Sequence, residues 1–473
     1  MRIEARRPSA LVAMAAIFAM AFTALPGVSP ADASGDGSGG KAVAHRGGGA
    51  RVASAQDEAP TAKLSRINIA GVPINAVEPT LGLTKNGDIF YTAFQSNTRI
   101  EVAHSGDQGK TWDLRSPEIG GRNVHSISVD PYIYVDKDTN RIFNIDLTVA
   151  CSYMSYSDDL GKTWTTNPLA CGRPVNDHQT LFAGPPASSP TVGYENVVYY
   201  CWNDVGSSSC SKSLDGGLTF SPTGAPAFPG VDPDAGGQGT NFCGGLHGHG
   251  FVADDGTVLL PKGHCGQPWL AISKDEGATW KRVQVAKNGT ANHEAGAVMD
   301  KKGNIYYVYI GRDRLPYLVV SKDGGKRWSK PIMVGAPGLR EANLPAMDLG
   351  AEGKIAFVYM GSENSPFRAG RDTQRSYSKT TWNGYMTVTA NALDKNPLFF
   401  TGTVNNKKDP LIRDTCGPGR CRAVFDFIDV VVGPDGTAWG AFVDGCTAIC
   451  ASGASNIGSE AVVGHLVGGP RLR

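Results

Sequence analysis

The chain has 473 residues, of which 41% are hydrophobic, with 45 basic against 44 acidic side chains and a formal net charge of +1. A chain this close to neutral, without a basic stripe, carries no electrostatic footprint for nucleic acid or for an anionic membrane surface. Both are excluded as partners.

The first element is an export leader. Arg2, Arg6 and Arg7 precede the apolar run Ser9–Leu25, and Ala31-Asp32-Ala33 supplies a small-x-small cleavage pattern. This predicts a signal peptide over 1–33, cleaved after Ala33. The apolar run is too short, and too soon followed by Pro26, Gly27 and Pro30, to read as a membrane span. The first cysteine is Cys151, so none is available for lipid attachment at the cleavage point. The mature protein is expected to be secreted, soluble and monomeric. Residues 34–60 are rich in Gly and Ala with no hydrophobic period, which predicts a disordered linker ahead of a folded domain over 61–473.

That domain carries a repeat. SGDQGKTW, SDDLGKTW, SLDGGLTF, SKDEGATW and SKDGGKRW begin at 105, 157, 213, 273 and 321. Intervals of roughly 48 to 60 residues indicate a repeat architecture, and Gly-rich turns between short strands restrict it to β-propeller blades. A turn followed by a β-rich apolar segment precedes each octapeptide, as in NGDIFYTAF (Asn86–Phe94) and GNIYYVYIG (Gly303–Gly311). Two more such segments, EGKIAFVYM (Glu352–Met360) and DGTAWGAFV (Asp435–Val443), lack the octapeptide. Counting these segments predicts an all-β fold, a single seven-bladed propeller, with its ring closed by strands from both ends such as Ser65–Ala76. Within the octapeptide, Asp at the third position accepts hydrogen bonds from turn amides, and Gly at the fifth takes a left-handed conformation. The aromatic at the eighth packs between sheets. None of these roles needs a substrate.

The ten cysteines fall into neighbouring pairs: 151/171, 201/210, 243/265, 416/421 and 446/450. In an exported chain an even count reads as disulfides, and local pairing is the simplest of the connectivities the sequence leaves open.

The octapeptides resemble Asp-boxes, the bacterial neuraminidase repeats of sialidases and of other secreted propellers, some of them non-enzymatic. The resemblance extends over most of Thr61–Arg473. It implies that the box lies on the turn between third and fourth strands, away from the catalytic face. It also implies a sialidase-like chemistry, in which three Arg hold a sugar carboxylate, an Asp serves as acid/base and a Tyr activated by Glu is the nucleophile. The sequence departs from that pattern. The early Arg-Ile-Pro signature is absent, and Arg314-Leu315-Pro316, its nearest counterpart, falls in the fifth unit. Sialidases have six blades, so a six-bladed sialidase-type ring is the alternative to seven. No catalytic residue is carried over by motif.

Position in the repeat provides candidates instead. If the box marks one face, the segments leading into each first strand collect on the other. In order they hold Glu78, Asp130, Asp177-His178, His247-Gly-His249, His293-Glu294, Asn343 and Asp426 to Asp429. Such residues at a channel mouth cap free backbone groups in any propeller. As a ring they also form a carboxylate-rich funnel suited to acid/base work. Asp130, Asp177 and Glu294 are the candidate acids and bases, with Glu78, Arg99, His178, Arg312, Arg340 and Arg375 as candidate substrate contacts. The arginines suit an anionic group through forked hydrogen bonding, or they are solvated loop charges. His247 and His249 share a strand face and with His293 could meet a metal ion. The alternative is a His-rich rim tied by Cys243 and Cys265, and no other cofactor is expected. Two functional classes follow. One is a secreted sialidase-like protein that acts on or binds glycans or glycoconjugates, as an exo-glycosidase of the exo-α-sialidase type. The other is a non-catalytic extracellular propeller that binds a protein or glycan partner.

Overall fold

The structure is a computed structural model. It describes residues 39–95, 99–119, 122–123, 130–148, 151–168, 177–204, 206–235, 242–291, 294–367, 379–413, 416–417, 420–421, 424, 426–446 and 458–473. The leader expected over 1–33 lies outside them.

The strands form seven antiparallel sheets whose first strands touch one another in a closed ring. Sheets 1 to 5 run outward in chain order. Blade 1 spans Leu81–Leu83 to Asp113–Leu114, blade 2 Pro131–Val135 to Thr165–Pro168, and blade 3 Asp177–Gly184 to Ser221–Pro222. Blade 4 spans Phe251–Val252 to Lys281–Gln284 and blade 5 Gly296–Met299 to Ile332–Met333. Blades 6 and 7 begin at Glu341–Ala351 and Asp429–Val432. The fold is therefore the seven-bladed propeller expected, and the six-bladed alternative is set aside. Second strands are covered by neighbouring sheets on both faces, so Val197–Asn203 and Ile305–Ile310 are buried at every residue. Near the axis the sheets approach too closely for side chains. A Cβ on Gly184 would lie 2.6 Å from Val252 of the next blade, and one on Gly296 2.6 Å from Met347.

The octapeptides lie on the turns between third and fourth strands, as the Ser208–Ser213/Ser221–Pro222 pair shows. In blade 3, Gly217 N donates to Ser213 Oγ (2.7 Å), while Leu218 N (3.1 Å) and Thr219 N (2.9 Å) donate to Asp215 Oδ1. The Thr219 hydroxyl donates to Asp215 Oδ2 (2.6 Å). In blade 1 the equivalent bonds from the Thr111 hydroxyl and amide hold the Asp107 carboxylate down at about 2. The fifth-position glycines are left-handed, as expected, and so is the fourth position: Gln108, Leu160, Gly216, Glu276 and Gly324 have φ between 58° and 71°. Asp215→Ala removes four accepted bonds, the fourth from the Ser213 hydroxyl (2.7 Å), and is expected to cost about 1–2 kcal/mol. It should lower the urea midpoint without changing the slope, because the compactness of neither state is altered.

The main correction concerns residues 34–60. From Gly39 onward this stretch is part of the domain rather than a disordered linker. Val43–His45 pairs with Phe399–Thr403 as a fifth strand of blade 6. Ala42 and Ala44 are buried, and His45 Nε2 lies 2.7 Å from Thr401 Oγ1. The small residues that suggested a linker allow the strand to lie close against the sheet. Ring closure follows the expectation with earlier bounds. Thr61–Arg66 is the outer strand of blade 7, paired with Glu460–Val467. Ile67 to Asn75 continue along Glu460 and Ala461.

Three of the expected disulfides are present, Cys201–Cys210, Cys243–Cys265 and Cys416–Cys421. Cys171 and Cys450, half of each remaining pair, lie outside the described residues.

Candidate functional site at the axial mouth

The segments leading into the first strands do meet on the face opposite the octapeptides. Phe427, brought in ahead of blade 7, is buried among three rings from other blades. His178 of blade 3 lies edge-on at 4.9 Å, His249 of blade 4 at 5.2 Å and Tyr132 of blade 2 at 6.3 Å. The mouth thus has an aromatic floor. The loop that delivers Phe427 carries the Cys416–Cys421 bridge and is tied to blade 1 by Glu78 N donating to Val424 O (2.9 Å).

Around that floor stand Glu78, Asp130, Asp177 and Asp426. Glu78 is buried, and its carboxyl is pushed well above the usual range, first by loss of solvent and then by the negative fields of Asp130 and Asp426. It also hydrogen-bonds Asp130, and Asp177 adds to the field. Asp130 is raised as well, chiefly by burial, and opposed by the hydrogen bond from Glu78, the His178 amide and Asp177. Asp130 is therefore the shared acceptor between two carboxyls, and Glu78, raised well above the usual range, keeps its proton. Asp177, the first residue of blade 3, is the exposed member. Gln179 Nε2 fixes the Asp130 backbone by donating to its carbonyl (2.6 Å).

Two of these side chains sit on strained backbone. Glu78 has φ 47° and His178 φ 49°, a left-handed conformation that non-glycine residues rarely adopt. Leu344, in the corresponding segment of blade 6, has φ 55°. Such strain costs on the order of 1 kcal/mol per residue and clusters where side chains must be held in one orientation.

A basic group borders the acids. The His178 and His247 rings lie 5.8 Å apart. Burial, followed by the field of His178, pushes His247 well below the usual histidine range, so it is neutral. His247 Nδ1 lies 2.9 Å from Gly248 O, and His249 Nδ1 lies 3.2 Å from Asp429 Oδ1. Behind His247, Lys262 is fully buried and its amine is lowered to about 7, mainly by burial.

The remaining candidates are placed as follows. Glu294 is 2% exposed ahead of blade 5. Arg312 and Arg340 are exposed, at the tops of blades 5 and 6. Arg99 begins the third strand of blade 1, with its side chain outside the described residues, as are Arg375 and His293. His247 and His249 engage separate partners through Nδ1, and the third member of the expected metal set, His293, lies outside the described residues. Among the described residues the only converging trio is Cys243, His264 and Cys265, whose two sulfurs are bonded to each other.

Sequence reasoning missed two groups. Arg314 is buried over the Phe367 ring (3.8 Å) and paired with Glu341, which also accepts the Ser365 hydroxyl. Lys262 was also missed, although a lysine inside the apolar run Val258–His264 was a readable signal.

No protein-family model matches the sequence, and no curated protein matches it. Among solved structures, a Dyadobacter fermentans protein of unknown function is similar at 14% identity, over 86% of this chain and 98% of that one, with a TM-score of 0.43. The Hadza microbial sialidase Hz136 matches at 17% identity over 60% of this chain and 63% of its own, with a TM-score of 0.40. A lectin of Aleuria aurantia, in complex with a fucose-containing disaccharide, matches at 11% identity over 66% and 93%, with a TM-score of 0.40. The seven-bladed fold rests on the sheets described above.

Proposed function

We propose that the protein is an exported, glycan-directed propeller that hydrolyses a glycosidic bond at its axial mouth. The observation that carries this reading is the carboxyl chain Glu78–Asp130–Asp177, in which one acid keeps its proton and a neighbour accepts. Carboxyls whose environments separate their protonation states are what acid/base cleavage requires. Asp177, the exposed end, is the group that would give a proton to a leaving oxygen. Asp130 orients it, and Glu78 supplies the buried proton that keeps Asp130 from repelling it. The glycan class is supported by the resemblance of the octapeptides to those of sialidases. Export is supported by the leader pattern and by three disulfides. No helix among the described residues is long and apolar enough to cross a membrane.

A carboxylate-bearing sugar is the less favoured substrate. The mouth already holds four acids, and Arg314, the buried arginine, is committed to Glu341. A neutral glycan suits it better. The check is release from a panel of neutral aryl glycosides beside a fluorogenic sialoside. Asp177→Asn is expected to lose about a hundred- to ten-thousandfold in kcat. Glu78→Gln is expected to retain activity with an altered alkaline limb. No release from any substrate by the wild type would overturn the hydrolase and leave a binding module.

A further inference from the structure

A second site lies on the opposite face, at the seam where blade 7 meets blade 1. In the octapeptides of blades 2, 3 and 4 the fourth position meets the preceding blade, and the space there is filled. Leu160 packs against the apolar cluster of Phe90 and Val102 in blade 1. Over Gly216 lies Arg141 of blade 2, donating to its carbonyl (2.8 Å) and stacked on Tyr156 of blade 2 and Tyr194 of blade 3. Glu276 pairs with Lys212 of blade 3 (2.7 Å) and accepts the Ser188 and Ser189 amides. At the 7–1 seam the fourth position is Gln108, and it fills nothing. A cavity of about 330 Å³ remains there, within the range of small-molecule sites.

We infer that this seam cavity binds one sugar unit of a neutral saccharide. Its lining combines three kinds of surface. The Gln108 and Asn86 side-chain amides are exposed and make no hydrogen bond to any described residue, so both donors and both acceptors are available. Opposite them Asp435, Thr437 and Arg471 form a closed polar group. Arg471 Nη1 donates to Asp435 Oδ2 and to Thr437 Oγ1, both at 3.0 Å, and its other nitrogens are left to face a ligand. Trp439 and His465, stacked at 4.3 Å, supply an aromatic wall. The single Asp and single Arg cancel, so the cavity favours neither an anion nor a cation. Alternating donors and acceptors beside an aromatic wall match a pyranose, which presents hydroxyls around its edge and C–H groups on its faces. Leu472, fully buried and bonded to Gly436 O, holds the segment that positions Arg471.

This site does not depend on the reading of the mouth. The test is saturation-transfer NMR and calorimetry with the methyl glycosides of glucose, galactose, mannose, fucose and N-acetylglucosamine on the full mature chain. At least one is expected to bind and to shift the His465 and Trp439 ring resonances. Asn86→Trp, at an exposed turn position, should obstruct the cavity, and Arg471→Ala should remove its free donors. Each is expected to weaken binding at least tenfold, while Asp177→Asn leaves it unchanged. The inference is overturned if no glycoside perturbs those rings. It is equally overturned if binding survives both seam variants, or disappears only with Asp177→Asn.

Discussion

Lys262→Met is expected to make the protein more stable at pH 7, by roughly 4 kcal/mol. Lys262 is fully buried on the second strand of blade 4. Its amine donates to Ser208 Oγ (3.0 Å) and lies 5.6 Å above the Phe228 ring, with Asp204 the one acid whose field supports its charge. Burial lowers it from 10.5 to about 7. In the unfolded chain it titrates at its ordinary value, so between pH 7 and 10.5 the unfolded state binds more protons. Stability from this group therefore rises with pH across that window and is lowest at pH 7 and below. Methionine keeps the length of the stem and removes the amine. Ser208 keeps its own bond to Asn203 (2.7 Å), so no donor is orphaned. Unfolding midpoints of both proteins, measured at pH 7 and 10, decide the matter. The gap between them should shrink toward zero on the alkaline side. A gap that is absent at pH 7, or that does not change with pH, contradicts a strained buried amine.

The second large effect is expected from Gly248→Ala. A Cβ at Gly248 would lie 1.8 Å from the carbonyl oxygen of Ala295 and 3.0 Å from its nitrogen. Both are backbone atoms, so no rotamer change relieves the contact. Gly248 N is also bound to Pro261 O (2.9 Å), which prevents the loop from lifting away. Overpacking of this kind costs about 3 kcal/mol or more. The cost falls where His247 and His249 leave the loop for the mouth, so loss of stability should come with displacement of both rings. Gly458→Ala, which meets nothing within 4 Å, is the control and should change the melting midpoint little. Equal behaviour of the two variants would mean that blades 4 and 5 are less tightly joined than the backbone approach implies.

The blade count was readable because each blade repeats a local chemical solution. Ser, Asp and Gly at fixed spacing make one turn, and an apolar strand beside it must lie between sheets. The sixth blade shows the limit of that reading. Its turn uses the same device with other residues. Thr389 Oγ1 lies 3.0 Å from Asn391 Oδ1, and Leu398 N donates to Asn391 Oδ1 (2.9 Å). Thr and Asn replace Ser and Asp, and the turn is longer, so the octapeptide pattern does not match. The N-terminal strand was missed for a different reason. Gly and Ala at 39–50 have no period of their own, because the partner that orders them lies at Phe399–Thr403.

The site was legible as a ring of residues but not as a set of contacts. That acids and histidines would gather at the first strands follows from the repeat. That Asp130 would accept from both Glu78 and Asp177 depends on how much the inner strands are offset, which no local pattern encodes. The arginines show the converse. Arg314 reads only as part of an Arg-Leu-Pro stretch, yet Glu341 and Phe367 hold it inside the structure.

The outer strand of blade 7 has a consequence for how the molecule is made. Arg66 pairs with Glu460, 394 positions later, and Val43–His45 needs Phe399–Thr403 before it can pair. The first part of the domain to be synthesised is thus the last to find its place. Until the final blade has emerged, the outer edges of blades 6 and 7 remain open to pairing with other chains, and long-range closure of this kind is slow. A chain shortened by a few residues at Glu460–Val467 would leave not only an incomplete blade but also an early segment with no sheet to join. Dimers formed by exchange of residues 43–66 between two copies are the misassembly to look for when the protein is produced at high concentration.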